Sequence, residues 1–461
     1  MISARLRPLA EETSELGTLF ADADRRLYLV GGAVRDVVLN RLESTTDLDF
    51  TTDASPDEIE KITGRWADSL WLQGKRFGTI GLLKADRLIE ITTHRGEAYN
   101  PDSRNPEVVF SKDIETDLSR RDFTINAMAL RLPDMTLFDP FDGTGDLAAF
   151  RLRTPASPEA SFNDDPVRML RAARFIAGFG LSPSQELVDA VKRLHGRLEI
   201  VSAERIRDEL DKLMVVEAPG TGLWFLVNTG LAHEFLPELP ALALEQDPIH
   251  HHKDVLAHTI AVIEKTSQDR ILRLAALFHD VGKPRTRSIG PAGVSFHHHD
   301  VVGARMTRDR MRALKYSTDD LNLVSKLVEL HLRFHTYSMG WTDSAIRRYV
   351  RDAGEVLDRL NELTRCDCTT RNRTKAEQLS RSMDDLERKI LLLREREQLD
   401  SIRPDLDGDA VMAHLNIPPG REVGQALAHL LQVRLDEGPL DNGDAYKRLD
   451  EWWARRSNDS V

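Results

Sequence analysis

The sequence predicts an α+β protein, a small α/β head followed by a long all-α body. Three observations carry this reading. From residue 25 to about 140, short strand-like runs ("RLYLV", "DLDFTT", "FGTIGLL", "RLIEITT", "MALRL") alternate with turns and helical stretches. From about residue 162 almost every segment has helical periodicity, as in "PVRMLRAARFIAGFG" and "SAERIRDELDKLMV". Between the two regimes lies a Pro- and Gly-bearing stretch, "FDPFDGTGDLAAFRLRTPASPEA". At 461 residues, and ~150 residues per domain, about three domains are expected.

Residues 1–20 read as an amphipathic helix. In "LYLVGGAVRD" (27–36) a strand, Leu27 to Val30, breaks at Gly31-Gly32 and restarts as a helix at Ala33. Glycines at such a turn let backbone N–H groups come close to a bound group. In "STTDLDF" the spacing of Asp47 and Asp49 puts both carboxylates on one face of a strand, with Leu48 and Phe50 on the other. A phosphate cradle beside paired carboxylates suggests metal-dependent phosphate chemistry; a tight turn with a surface acidic pair accounts for the same residues. Glu90, in "LIEITTHRG", is either a third carboxylate or a solvent-facing strand residue. Further on, residues 250–335 are rich in histidine. Residues 372–400 form a long charged helix with an apolar stripe, a surface or spacer element. Neither tandem repeats nor low-complexity linkers occur.

The net charge of −12 excludes a surface coated in nucleic-acid-binding charge but permits local basic stripes. The two cysteines, Cys366 and Cys368, form a CxC pair and not a disulfide framework, so a reducing, cytoplasmic setting is expected. The N-terminal "MISARLRPLAEETSELG" has no apolar signal region, and no run of ~18 apolar residues occurs, so no membrane partner is expected.

"GGAVRD" with "DLDF" resembles the DNA polymerase β-like nucleotidyltransferase superfamily. "RRDFTINAMAL" (120–130), "FDPFDGTGDL" (138–147) and "NDDPVRMLRAARF" (163–175) narrow the resemblance to the class II tRNA nucleotidyltransferase (CCA-adding) and bacterial poly(A) polymerase family. Four motifs in the family's order cover roughly residues 25–215. The resemblance implies a polymerase β-like head on an elongated helical body. It implies transfer of CMP and AMP, from CTP and ATP, to the 3′ end of tRNA without a nucleic-acid template. Mg²⁺ prefers carboxylate oxygens, which Asp47 and Asp49 offer from one face, with Glu90 as the third candidate.

By the same resemblance Gly31, Gly32, Arg35, Arg120 and Arg121 are candidates for the triphosphate, while Asp36 caps or pairs locally. Asp122 is placed to accept from a ribose hydroxyl; alternatively it is an N-cap with Asn126 on the first turns of a helix. Asp165 and Arg168, three residues apart, would share a helical face. Cytosine and adenine both show an amino donor beside a ring-nitrogen acceptor. A carboxylate and a guanidinium match that pattern and clash with uracil and guanine. The competing explanation is an acidic cap with a helical salt bridge. Asp164 stands where many relatives have Glu, and Pro166 suits a helix start. Arg171 and Arg174 continue a basic stripe toward RNA phosphates, or lie at the edge of a core. Gly78-Thr79-Ile80 fits CCA-adding members better than poly(A) members. "FDPFDGTGDL" resembles the flexible loop that helps the switch from C to A. Members adding only CC or only A share these motifs.

"LRLAALFHDVGKPRT" (272–286) resembles an HD phosphohydrolase core. His258, His279, Asp280 and Asp367 match that family's ligand set, and His299 and His331 match the extra histidines of its two-metal members. Such a donor set suits a transition metal, Ni²⁺, Co²⁺ or Mn²⁺. His250, His251, His252, His297 and His298 are adventitious binders at most. The implied domains are a head (1–150), a helical neck for base recognition and RNA binding (151–240), an HD domain (241–370) and a tRNA-binding tail (371–461). In the tail "IPPGREVG" either places amides near a phosphate or is a plain packing turn. The alternatives to CCA addition are a poly(A) polymerase, or an HD phosphohydrolase whose head is an RNA-binding relic.

Overall fold

The computed structural model describes residues 6–41, 47–96, 109–244, 254–290, 293–334, 337, 341–368, 373–397 and 402–458. The chain divides into two units, residues 1–235 and 236–461. The first begins with α1 (Arg7–Asp22), which buries Leu9, Leu16 and Phe20. Strand β1 (Leu27–Val30) is buried throughout and passes through Gly31 into α2 (Gly32–Val38). Then come β2 (Leu48–Thr52), α3 (Pro56–Thr63), β3 (Ser69–Trp71), β4 (Thr79–Lys84) and β5 (Arg87–Thr93). A short pair, β6 (Arg95–Gly96) with β7 (Val109–Phe110), leads to α4 (Ile114–Ser119), β8 (Ala129–Leu132) and β9 (Thr136–Phe138).

These strands form one sheet in the order β3-β4-β5-β2-β1-β8-β9, in which only β2 and β5 run parallel. The alternation of the strands decides its two faces. Phe50, Ile80, Leu82, Ile89 and Ile91 point to the buried face, which α1 and α3 cover. On the opposite face α4 covers only the β1–β8 end, through Ile114 and Leu118 packed on Tyr28, Val30 and Ala129. Among the described residues no helix covers the β2-β5-β4-β3 end of that face.

Helix α5 (Gly143–Ala148) follows. Asp139 accepts hydrogen bonds from the amides of Gly143 (2.7 Å) and Thr144 (2.9 Å). A Cβ at Gly143 would stand 2.3 Å from the Thr124 carbonyl oxygen, so only glycine fits. Asp146 is fully buried among Thr124, Arg151 and Arg153. Part of the motif expected to act as a flexible loop thus forms a short helix, α5, whose start is held by Asp139.

Strand β10 (Arg151–Leu152) pairs in parallel with β11 (Ser182–Pro183), and the remaining elements are α6 (Pro158–Asp164), α7 (Val167–Phe179), α8 (Gln185–Leu194), α9 (Ala203–Met214), α10 (Gly220–Asn228) and α11 (Leu231–Phe235). Asp165 has extended backbone, φ −143° and ψ 100°, and α7 starts only after Pro166. The expected shared face of Asp165 and Arg168 therefore does not form, because proline ends one helix and opens the next.

The second unit contains α12 (Val255–Lys265), α13 (Arg270–Phe278) and α14 (Lys283–Thr286), then a hairpin of β12 (Arg287–Gly290) and β13 (Gly293–Phe296). The hairpin is the only strand pair among its described residues. Helices α15 (His299–Ala313), α16 (Thr318–Leu330), α17 (Asp343–Ala353), α18 (Leu357–Asp367) and α19 (Arg373–Glu397) follow. The expected stripe of α19 is buried at Met383, Leu386, Ile390 and Leu393. Helices α20 (Gly408–Leu415), α21 (Arg421–Glu437) and α22 (Asn442–Asn458) pack around Val411, Ala426, Leu430, Ala445 and Leu449. The segment 417–424 spans the turn between α20 and α21, as a packing element does. No described helix is long and apolar enough to cross a membrane.

Candidate active sites

On the open face, Asp49 of β2 lies in register with Glu90 of the parallel neighbour β5. Asp47 is exposed one residue before β2. Gly31, at φ 75°, closes the turn after β1; a Cβ there would stand 3.2 Å from Nη1 of Arg121 and 3.8 Å from Oδ2 of Asp49. This positive φ is why glycine is needed where the chain passes the carboxylates. The Asp49 carboxylate is reachable from solvent but lies on the floor of a cleft, and burial raises its pKa. Arg121 opposes the rise; Glu90 and Asp47 add to it. Crowded carboxylate oxygens on one face fit a hard divalent cation, which relieves their repulsion.

The cleft, of about 430 Å³, is also lined by Thr79, Arg95, Asp117, Arg120, Arg121 and Arg168. Arg95 donates from Nη2 to the Phe77 carbonyl (2.7 Å) and to Oγ1 of Thr79 (3.0 Å). Arg120 donates to the Gly96 carbonyl, and Arg121 is 3.6 Å from Asp117. Arg168 reaches Oγ of Ser161 (2.9 Å), the Arg120 carbonyl (2.6 Å) and Asp164 (2.9 Å). The Nε atoms of Arg95 and Arg121 are buried and find no acceptor among the described residues. Four guanidiniums converge on a cleft holding fewer carboxylates, which is the charge pattern of a polyanion site.

Behind the cleft lies a buried network. Asp122 accepts from Asn126 (3.0 Å), from Nε of Arg171 (2.8 Å) and from its neighbouring amide, Phe123 (2.8 Å). Burial opposes its charge, but Arg171 and Asn126 outweigh burial and hold its pKa below the usual carboxylate value. Asn126 in turn accepts from Arg35 (2.8 Å), which also pairs with Asp36 and lies 4.4 Å above the Phe179 ring. Glu209, 6 % exposed, binds Arg174 at 2.8 Å and lies 3.6 Å from Arg171. Asp165 caps the Val167 amide (3.2 Å) and pairs with Arg205 of α9 (2.7 Å).

In the second unit, α13, buried from Ile271 to Phe278, delivers His279 and Asp280 into the core. Nε2 of His258 is 2.9 Å from Asp367 and 3.6 Å from Asp280; Nε2 of His279 is 3.3 Å from Asp280 and 3.6 Å from Asp367. His299 closes on Asp280 at 3.5 Å, and His331 joins Asp280 and His299 in a second group with metal-ligand spacing. Nδ1 of His279, His299 and His331 each meets a carbonyl three residues back, of Ala276 (2.7 Å), Phe296 (2.8 Å) and Val328 (2.6 Å). Those contacts make Nδ1 the donor and turn each Nε2 lone pair to the centre. Nε2 of His299 and of His331 is buried with no hydrogen-bond partner among the described residues, an arrangement that fits a bound cation. Burial disfavours charge on His279, but Asp280 and Asp367 overcome it and lift its pKa to about 10. Burial and the charge of His279 push His331 down to about 4.

Family models match three segments: a poly A polymerase head domain over residues 27–153, a probable RNA and SrmB-binding site of polymerase A over 180–242, and an HD domain over 251–390. The A-adding tRNA nucleotidyltransferase of Deinococcus radiodurans is 34 % identical over 335 residues, 70 % of this chain and 75 % of that protein. The chain belongs to the tRNA nucleotidyltransferase family. The CCA-adding enzyme of Bacillus subtilis is 40 % identical over 217 residues, 47 % of this chain. This chain spans about half of that enzyme's length, 53 %. The fold is that of a Bacillus stearothermophilus CCA-adding enzyme crystallised with CTP, with a TM-score of 0.71 at 19 % identity over 99 % of this chain and 100 % of that one.

Within this tRNA nucleotidyltransferase the structure brings Asp49, Glu90, Gly31, Arg120, Arg121 and Arg168 to one cleft, and all six HD-type residues to one cluster. It does not bring Asp122 there as a free acceptor, since both its oxygens are engaged. Arg35, Arg171 and Arg174 likewise face internal acids and phenylalanine rings, so they do not form an outward stripe. Asp36 pairs locally, with Arg35, as expected. His250, His251 and His252 lie outside the described residues, and His297 and His298 are not in the cluster. Sequence reasoning missed Arg95 and Thr79 as cleft residues. Their only signal was position: Arg95 lies two residues beyond the strand of Glu90, and Thr79 faces Thr92 across the adjacent pair.

Proposed function

We propose that this protein completes or repairs the 3′-terminal CCA of tRNA in the cytoplasm, using CTP and ATP, with Mg²⁺ at Asp47, Asp49 and Glu90. The observation that carries the reading is the pairing of Asp49 with Glu90 beside a cluster of arginines, in a chain of this family. When bound, divalent cations supply activation of the attacking hydroxyl and neutralisation of the leaving pyrophosphate. Gly31 lets the backbone approach the phosphates, and Arg120 and Arg121 hold their charge. In this reading residues 1–150 transfer, 151–240 select the base, 241–370 form the HD domain and 371–461 bind tRNA. Incubating the protein with tRNA lacking CCA and with each nucleotide separately, then sequencing the 3′ ends, tests this. CTP alone is expected to add two residues, and ATP one more only once that CC is in place.

A second reading, A-only addition, is favoured by the long match to an A-adding relative. It predicts no incorporation of CTP on any end and single ATP addition to tRNA ending in CC. A long homopolymer from ATP alone would instead mark a poly(A) polymerase.

Base choice falls to Arg168 and Asp165. Arg168 lines the cleft, and its guanidinium is oriented by Ser161 and the Arg120 carbonyl. Asp165 is held by Arg205 outside α7 and must release that pair to join Arg168 at a base edge. A site that hydrogen-bonds a base rejects the wrong edge because its own polar groups would go unpaired. Arg168→Ala and Asp165→Ala should therefore erode discrimination against UTP and GTP by about tenfold to a hundredfold. An unchanged nucleotide ranking in both variants would return the pair to helix capping.

The HD-type cluster we assign to a transition metal, Ni²⁺, Co²⁺ or Mn²⁺, and to hydrolysis of a phosphomonoester or cyclic phosphate at a damaged RNA 3′ end. Removing such a group restores the hydroxyl that the head extends.

A further inference from the structure

One row of the head sheet runs past the carboxylates. Asp49 pairs with Glu90, Glu90 with Gly81, and Gly81 with Trp71, across β2, β5, β4 and β3. Residues opposite one another in a sheet share a face, so all four point to the open side. Trp71 is 41 % exposed, and its ring leans over Gly81: a Cβ on that glycine would meet Cε3 of the indole at 3.6 Å. Leu88, 41 % exposed one register step away on the same face, extends the apolar floor. Strands lie about 4.8 Å apart, which puts Trp71 about 10 Å from Glu90 along the row.

The two sides of the carboxylates differ. Gly31 and Arg121 stand on the β1 side, next to Asp49. Among the described residues the β5-β4-β3 side has no covering helix, and it ends in the indole. Between them Arg95 is anchored to Thr79 and the Phe77 carbonyl at the edge of that floor. Phosphates of the nucleotide therefore belong on the first side, and the strand being extended must come over the second. A 3′ hydroxyl held at Asp49 and Glu90 puts the neighbouring bases above Gly81 and Trp71. Gly81 keeps the row clear, and the indole offers a π-face.

We infer that Trp71 is a stacking platform for an unpaired base at the 3′ end of the RNA being extended, with Arg95 beside it for the strand's phosphate. The occupant is single-stranded RNA continuous with the catalytic cleft; stacking on an aromatic face tolerates every base, which suits an end whose sequence changes as it grows. The inference rests on the function proposed above.

An acceptor-stem hairpin carrying 2-aminopurine as its last base before the CCA position tests it with the full-length protein. On the wild type the probe's fluorescence should fall on binding, through stacking. In Trp71→Ala the quench should disappear and KM for the RNA should rise about tenfold. KM for CTP and kcat should stay within about twofold, because the ring touches neither the nucleotide nor the reacting atoms. Trp71→Phe keeps a ring and should restore most of both signals. Unchanged quenching and RNA KM in Trp71→Ala overturn the inference, as does a Trp71→Phe variant as impaired as Trp71→Ala. Absence of any nucleotide addition by the wild type would instead overturn the function itself, and the quench is read in a binding experiment that needs no turnover.

Discussion

Asp49→Ala should abolish nucleotide addition, by about a thousandfold or more, while tRNA binding persists. Asp49 lies against both the glycine turn and Glu90, so no neighbouring side chain can take over its oxygens. Preorganised charge at a reacting centre contributes losses of this order when one member is removed. Asp47→Ala should behave alike, although Asp47 is more exposed and outside β2. Glu90→Ala tests the third carboxylate. Most RNA affinity comes from phosphate contacts, so filter binding at fixed salt should change little. More than a few per cent of activity left in both aspartate variants would end the proposed cation site.

The parts of this site that were legible in the sequence are those fixed by short-range rules. "DLDF" alternates, and a strand has period two, so Asp49 had to face away from Leu48 and Phe50 once a strand formed. The apolar run that ends α13, Leu274 to Phe278, stops at His279-Asp280, and the ligands arrive where that run ends. What depended on partners distant in sequence was not legible. Asp122 looked free because Arg171 lies 49 residues away, and Arg174 looked free because Glu209 lies 35 residues away. The break at Asp165 was legible but underweighted: Pro166 restricts the residue before it to extended backbone, which takes Asp165 off the helix. Arg95 and Trp71 carried no motif at all. Only the register, Trp71 with Gly81 and Gly81 with Glu90, places the indole on the catalytic face.

The HD-type cluster should prove separable from the head. His279 and Asp280 are each 1 % exposed, and Asp280 lies between two groups of imidazoles while also meeting Lys283 at 2.7 Å. Asp280 and Asp367 lift the pKa of His279 to about 10, so its proton answers their charge. A transition-metal cation answers the same charge, so metal binding should release protons and weaken as pH falls. Metal content after dialysis against Ni²⁺, Co²⁺ or Mn²⁺ should therefore be stoichiometric in the wild type. It should be lost in His279→Ala with Asp280→Ala. Release of phosphate from 2′-phosphorylated or 2′,3′-cyclic nucleotides should fall by about a hundredfold or more, since bound metal is what activates water for attack on phosphorus. Addition of nucleotides to intact tRNA should stay near the wild-type rate, because Asp49 and Glu90 belong to the other unit. Replacing a buried pair risks the fold, so His258→Gln, at a half-buried position 2.9 Å from Asp367, provides the milder test by metal content alone. A wild type that holds no transition metal and hydrolyses none of these esters makes the cluster a structural relic. Loss of addition together with hydrolysis in both variants would mean that the cluster holds up the second unit's fold, and the two activities would not be separable.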